Sequence, residues 1–200
     1  MTQKKVITII VSALIVITMI TMYFVLSPIL KDEVHIGEKI HLLKEESVPI
    51  KFKVVTLSDG KNVITGKLFD LDNNPVGRFE LPYRDGSVTL TFTDINIKGR
   101  HVIFPDEMQQ YIGNDTIKTL LAAYYDHQGT PAVYSSQVVD PILYSELSKL
   151  YTILLNGDTA YINKTYGTIT KRTTTVTIPQ ERVSYIIKTT SSGIIECNTK

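Results

Sequence analysis

The chain has 200 residues, of which 21 are Lys or Arg and 20 are Asp or Glu, so its formal net charge at neutral pH is +1. Proteins that bind nucleic acid through its phosphates carry a clear excess of cations, so this balance argues against a nucleic-acid-binding protein. The single cysteine, Cys197, excludes a framework of intramolecular disulfides.

The first predicted element is a membrane-spanning helix over residues 6–26, which include no charged side chain. Roughly 21 helical residues extend about 31 Å, which matches the thickness of a hydrocarbon core. The hydroxyls of Thr8, Ser12, Thr18 and Thr21 are expected to donate to carbonyls one turn earlier, which makes them tolerable in lipid. The apolar stretch is too long for a secretory signal and is followed by no small-residue cleavage site, so we expect an uncleaved signal-anchor.

The distribution of lysines predicts how this helix is oriented. Lys4 and Lys5 lie immediately before it, whereas the lysines that follow are spread thinly. Because positively charged flanks stay in the cytoplasm, residues 1–5 are expected to form a cytoplasmic tail. The predicted localisation is the cell membrane, with a single pass, a cytoplasmic N-terminus and an extracytoplasmic C-terminal domain. The charged residues 27–47 are interpreted as a membrane-proximal stalk.

From residue 48 onward, short stretches carry apolar residues at every second position, which is typical of half-buried strands. In the stretch that begins at Val88, for example, Val, Leu and Phe alternate with Thr. Clusters of Asp, Asn, Gly and Pro separate these stretches and indicate turns. The predicted strands are Lys51–Leu57, Val63–Leu71, Arg78–Pro82, Val88–Ile95 and His101–Phe104, the last of which ends before Pro105.

The second half is expected to combine strands with one helix. Residues 117–125 fit either a helix or a strand, and we favour a strand. Asp140 is a good N-cap and Pro141 a good first helical residue, so an amphipathic helix is predicted from Asp140 to Asn156, ended by Gly157. Further strands are predicted at Thr159–Ile162, Thr168–Ile178, Val183–Thr190 and Ile194–Cys197.

Together these elements predict a mainly β or α+β fold. An N-terminal transmembrane helix would be followed by an antiparallel β-sandwich-like domain, with one amphipathic helix packed on a smaller antiparallel sheet. The extracytoplasmic domain would extend over residues 48–200 and could divide into sub-halves, 48–105 and 106–200.

No pattern of residues indicates a cofactor or a metal site. Asp70, Asp72 and Asn74 match the first ligand positions of a calcium loop. However, Pro75 stands where that loop needs Gly, and Leu81 stands where it needs Glu. A hydrogen-bonded turn is therefore predicted at this place. The four histidines also lack the spacing of metal ligands.

An enzyme acting on a cell-wall or glycan substrate is the alternative to a binding protein, and it would use Asp126, His127 or Cys197. Cys197 follows Glu196, whose charge would raise the pKa of the thiol. No Arg follows Cys197 that could hold an oxyanion. Asp126 and His127 suit a polar hairpin turn. The sequence therefore assigns no catalytic residue.

Tyrosine is the residue type with a biased distribution, since eight of the eleven lie between Tyr111 and Tyr166. A Tyr ring joins an apolar face to a polar hydroxyl and suits a surface that binds proteins or glycans, although Tyr is also favoured in strands. The candidate partner-binding residues are Tyr124, Tyr125, Tyr134, Tyr161 and Tyr166.

The leading functional hypothesis is a non-enzymatic binding or assembly component of the cell envelope. It would contact the lipid bilayer through residues 6–26 and would bind a protein partner in the envelope, with homo-oligomerisation as a further option. No nucleic acid and no cofactor is expected as a partner.

Overall fold

The computed structural model describes residues 15–23, 36–83, 86–112, 115–137, 139–178 and 183–200. Within these residues the chain forms strands β1 to β9 and, between β6 and β7, two α-helices, joined by turns. The strands are β1 (Glu46–Thr56), β2 (Asn62–Phe69), β3 (Pro75–Tyr83), β4 (Ser87–Ile97), β5 (Arg100–Ile112), β6 (Asp115–Leu120), β7 (Thr168–Thr177), β8 (Ser184–Thr190) and β9 (Ile195–Thr199). The helices are α1 (Pro141–Leu155) and α2 (Thr159–Thr165).

The N-terminal part of the described chain is helical over residues 15–23. Thr21 donates its hydroxyl to the carbonyl of Ile17, one turn earlier, as the sequence predicts. Among the described residues, no helix is both long and apolar enough to cross a membrane. Residues 6–14 and 24–26 of the predicted span lie outside the described residues, so the spanning helix stays a prediction.

The strands form two antiparallel sheets. The five-stranded sheet has the order β3-β2-β1-β8-β9, and the four-stranded sheet has the order β6-β5-β4-β7. Each sheet is a meander of three consecutive strands with C-terminal strands added beside the first strand of that meander. The five-stranded sheet thus joins the first and last strands of the described chain, so neither sheet coincides with residues 48–105 or 106–200.

The four-stranded sheet is covered on both faces. Thr93, Asp94 and Ile95 are consecutive residues of β4 whose side chains alternate between the faces, and each is no more than 1% exposed. On one face Tyr151 of α1 packs against Phe104 of β5, with ring centroids 5.2 Å apart. One hydrophobic cluster joins both sheets and the helices. The predicted mainly β, sandwich-like architecture is confirmed.

The part of the predicted stalk that the structure describes begins at residue 36. Ile36, Ile40 and Leu43 are buried in the core, with exposed fractions of 1%, 2% and 5%. Their spacing is that of one apolar helical face, a signal that was present in the sequence. The packed domain therefore includes residues that precede residue 48.

Strand β5 continues past Pro105, where the sequence predicts an end. Phe92 of β4 pairs with Pro105. The neighbouring pair is Thr91 and Glu107, so Asp106 is left over as the extra residue of a β-bulge. A bulge tolerates proline because the ladder is interrupted there and the missing N–H is not required.

The prediction for the second half of the chain, strands with one helix, is partly right. Helix α1 is confirmed, and the carboxylate of Asp140 accepts the N–H groups of the second and third helical residues. The strand predicted at Thr159–Ile162 is wrong, because these residues form most of α2. Asp158 caps this helix by accepting the N–H of Tyr161, and such a cap outweighs a modest strand propensity.

The ambiguous residues 117–125 contain two kinds of structure. Strand β6 ends at Leu120, and a 3₁₀ turn follows over Leu121–Tyr124. Leu121 is fully buried whereas Leu120 is 62% exposed, so the chain turns into the core at this point. The favoured strand is therefore correct for the first part of the stretch only.

Candidate functional site

An open groove with a volume of about 630 Å³ lies on the outer face of the five-stranded sheet. Its charged residues are five cations and one carboxylate, so we call it the cationic groove. These charged residues are Lys51, Lys53, Lys67, Arg78, Lys200 and Glu80.

The strand register places three of the cations in one row across the sheet. Lys51 of β1 pairs with Lys67 of β2, which in turn pairs with Arg78 of β3. Directly paired residues on one face have Cβ atoms about 5 Å apart. Because alternate residues of a strand share a face, Lys53 lies on the same side, two positions further along β1.

A second row begins at Lys53 and has a different chemistry. Lys53 pairs with Thr65 on one side and with Ser184 on the other, and Thr65 pairs with Glu80. Lys200 exchanges two backbone hydrogen bonds with Ser184, which extends this row. The second row therefore has the order Lys200, Ser184, Lys53, Thr65, Glu80 and adds two hydroxyls and one carboxylate to its two cations.

The groove also contains apolar side chains. Phe69 and Ile186 are half-buried and line it; Ile186 pairs with Lys51 at one end of the first row, and Phe69 lies two positions beyond Lys67 on β2. The Nζ of Lys51 lies 4.5 Å from the centroid of the Phe69 ring. The groove thus combines positive charge, hydroxyls and an aromatic surface within a few strands.

Within the described part of the chain, four of the five groove cations have no ion-pair partner. Among the described residues, none of Lys51, Lys53, Lys67 and Arg78 takes part in an ion pair. Like charges on neighbouring strands repel, so this arrangement opposes folding slightly and favours an anionic ligand.

The tyrosines proposed from the sequence do not form one open surface. Tyr125, Tyr134 and Tyr166 are buried, with exposed fractions of 1%, 6% and 7%. The hydroxyls of the first two donate to backbone carbonyls of β5. Tyr124 and Tyr161 are partly buried, each against another aromatic ring. Core packing accounts for much of the tyrosine bias.

The residues considered for catalysis take part in turns and strands of the fold. The carboxylate of Asp126 accepts a backbone N–H, and the backbone of His127 closes the same turn, as predicted. Cys197 lies on β9 and is half-buried, and this burial raises the pKa of its thiol. From the sequence, the charge of Glu196 was expected to raise this pKa, whereas in the structure burial of the thiol raises it.

The aspartate turn after β2 is a hydrogen-bonded turn, as predicted. Oδ1 of Asp70 accepts the N–H groups of Asp72 and Asn74 at 2.9 and 2.7 Å. A hydrogen bond from Ser136 lowers the pKa of Asp72. Across the described ranges, no group of three or more His, Cys, Asp or Glu side chains could hold a metal ion.

Sequence reasoning missed a buried polar cluster at Asp94, which is 1% exposed. Nδ1 of His101 lies 2.8 Å from Oδ1 of Asp94, and Nε of Arg172 donates to Oδ2. The second ring nitrogen of His101 lies 3.3 Å from Nδ2 of Asn96. Both ring nitrogens therefore have partners, so the cluster ties β4, β5 and β7 together and offers no free base.

Comparison with known proteins provides no family for this chain. No protein-family model matches it, and no curated protein or solved structure matches it significantly. The fold and the groove describe a two-sheet β-domain with an open cationic surface.

Proposed function

We propose that this protein is a non-enzymatic binding component of the cell envelope, anchored in the membrane through residues 6–26, with the cationic groove as its ligand-binding surface. The observation that carries the proposal is the row of neighbouring cations that lack ion-pair partners within the described chain. The uncharged residues 6–26, preceded by Lys4 and Lys5, support the anchor and an extracytoplasmic domain.

The composition of the groove favours binding over catalysis. The described residues that line it include neither His nor Cys, the side chains that most often act as general base or thiol nucleophile. Its side chains project from paired strands, which form a rigid support. A membrane anchor also restricts the domain to two dimensions and raises its effective concentration, so a modest affinity would suffice.

The orientation is tested by labelling a single cysteine with a membrane-impermeant maleimide. Ser58, in the exposed turn after β1, is replaced by Cys in a Cys197→Ser background. We expect Ser58→Cys to be labelled in intact cells or spheroplasts. A Thr2→Cys control in the same background should be labelled only after permeabilisation. The reverse pattern would overturn the proposed topology.

The role of the groove is tested with two double variants of equal charge change. The full chain, in a neutral detergent, is titrated with polygalacturonate, polyglutamate and polyphosphate. Lys67→Glu with Arg78→Glu should weaken binding of any polyanion that binds by about tenfold or more. Lys61→Glu with Lys118→Glu, outside the groove, should change it by less than about twofold. Equal weakening of polyanion binding by the two double variants, or no binding of any polyanion to the unmodified chain, would contradict the proposal.

A further inference from the structure

We infer that the ligand of the cationic groove is an anionic glycan, a polymer whose units carry both acidic groups and hydroxyls. This inference rests on the proposed function and specifies its ligand. It follows from the two rows of the groove, which differ in chemistry although they lie on the same face.

The first row matches acidic groups. Lys51, Lys67 and Arg78 follow one another across three strands at spacings of about 5 Å. Lys53 lies about 7 Å along β1 from Lys51, two residues away. Anionic groups that recur along a polymer could meet several of these cations at once.

The second row matches hydroxyls. Thr65 and Ser184 each offer one donor and two acceptor lone pairs, and the carboxylate of Glu80 is an acceptor. A carboxylate in a cationic groove weakens attraction for a ligand that carries only negative charge. It strengthens attraction for a ligand with hydroxyls, because they donate charge-assisted hydrogen bonds to it.

The aromatic ring of the groove suits a sugar ring. Phe69 lies beside the first row, next to Lys51, and a pyranose presents C–H groups on one face that can pack on an aromatic ring. The groove volume of about 630 Å³ is in the range of small-molecule sites. It would therefore hold a short segment of the polymer.

Other polyanions fit these features less well. Extended peptides usually bind at sheet edges through backbone hydrogen bonds, whereas most of the groove lining comes from β1 and β2, whose backbones are paired on both sides. Single-stranded nucleic acid is bound by successive stacking aromatic side chains. Phe52 and Phe79 also line the groove but are only 2% and 4% exposed, so within the described sheet Phe69 is the aromatic ring on which a base could stack.

The first test compares probes that separate charge from hydroxyls. The full chain in a neutral detergent is titrated with polygalacturonate (acid and hydroxyl), polyglutamate (acid only) and dextran (hydroxyl only). We expect polygalacturonate to bind about tenfold more tightly than polyglutamate at equal charge concentration, and dextran not to bind. Binding of polygalacturonate should weaken as the salt concentration increases, since the charges of the groove are exposed.

The second test uses Glu80→Ala with a matched control. Loss of the Glu80 carboxylate should reduce the preference for polygalacturonate over polyglutamate from about tenfold to about twofold, because the hydroxyls lose their acceptor. Glu196→Ala removes the same charge from the outer face of β9, outside the groove lining, and should leave the preference unchanged. Thr65→Val should weaken polygalacturonate binding and leave polyglutamate binding unchanged.

The outcomes distinguish failure of the inferred ligand from failure of the proposed function. If polyglutamate, or vesicles rich in phosphatidylglycerol, bind as tightly as polygalacturonate, the inference of a glycan ligand is wrong and the groove remains a polyanion-binding surface. The same conclusion follows if Glu80→Ala strengthens both polyanions equally. If no polyanion binds, the proposed function and the ligand both fail.

Discussion

The side-chain nitrogen of Lys51 lies 4.5 Å from the centre of the Phe69 ring, on the outer face of the five-stranded sheet. At an exposed site, a cation over an aromatic face contributes about 0.5–1 kcal/mol. The contact places the aromatic ring of Phe69 beside the charged row of the groove, because both residues line it. Lys51 is thereby held near the sheet with its charge available to a ligand.

Replacing Phe69 tests whether this contact matters for binding. Phe69→Leu keeps an apolar side chain but removes the aromatic face, so polygalacturonate binding should weaken by about two- to fivefold. Phe69→Tyr keeps the ring and should bind like the unmodified chain. Titration of the full chain in a neutral detergent measures both. Equal affinities for all three proteins would show that the ring has no part in the site.

The buried cluster at Asp94 should be the most sensitive polar position of the domain. Asp94→Asn removes the negative charge that pairs with Arg172 and replaces one of the two acceptor oxygens by an NH2 donor, so we expect a loss of about 2–4 kcal/mol of unfolding free energy. Urea unfolding followed by circular dichroism measures this loss. Asp59→Asn, in an exposed ion pair with Lys61, should change stability little. A small effect at Asp94 would mean that the cluster does not stabilise the fold.

Two glycines with similar backbone conformations provide a matched pair. Gly193 has φ +88°, and a Cβ there would lie 2.8 Å from Nδ1 of His101, whereas Gly60 has φ +79° and open space around it. Gly60→Ala should cost about 1–2 kcal/mol, the usual penalty of a left-handed residue with a Cβ. Gly193→Ala should cost about 1–3 kcal/mol more, because the ring of His101 must move. Equal losses in thermal unfolding would show that the ring adapts freely.

The parts of the fold that were predicted correctly depend on local patterns. Helix α1 has its cap, its first-turn proline and its apolar stripe within one stretch, so its bounds followed from the sequence. The run of β5 beyond Pro105 could not be predicted, because it depends on a bulge against β4 and on pairing with β6. Helix α2 was missed because its single cap at Asp158 is a weaker signal than its β-branched residues.

The cationic groove was missed for a similar reason. Its cations come from β1, β2 and β3 and from Lys200, and only the pairing register of these strands, with Lys200 beside β8, brings them onto one face. A net charge of +1 conceals such segregation, because among the described residues the acidic side chains other than Glu80 lie outside the groove lining. One local signal was available: Lys51 and Lys53 alternate with buried Phe52, which places two cations on the outer face of a strand.

The start of helix α1 predicts how stability depends on acid. A hydrogen bond from Lys39 and the N–H groups of the first turn lower the pKa of Asp140 below its ordinary value of 3.8. A lowered carboxyl pKa stabilises the folded state at neutral pH, and this contribution is lost as the pH falls below about 4. Asp140→Asn keeps the cap without the charge, so its melting temperature should fall less than that of the unmodified chain between pH 5 and pH 3. If the melting temperatures of the two proteins fall equally between pH 5 and pH 3, the lowered pKa of Asp140 is not the cause of the acid dependence.

The reactivity of Cys197 decides between a structural thiol and the enzymatic alternative. Burial raises the pKa of this thiol above its ordinary value of 9.0, and only the thiolate is a good nucleophile. At pH 7 the native Cys197 should therefore react with maleimide at least about tenfold more slowly than the exposed Ser58→Cys in a Cys197→Ser background. The ratio should shrink in urea, where burial is lost. A native thiol that reacts as fast as the exposed one would require an activated thiolate and would revive a catalytic role.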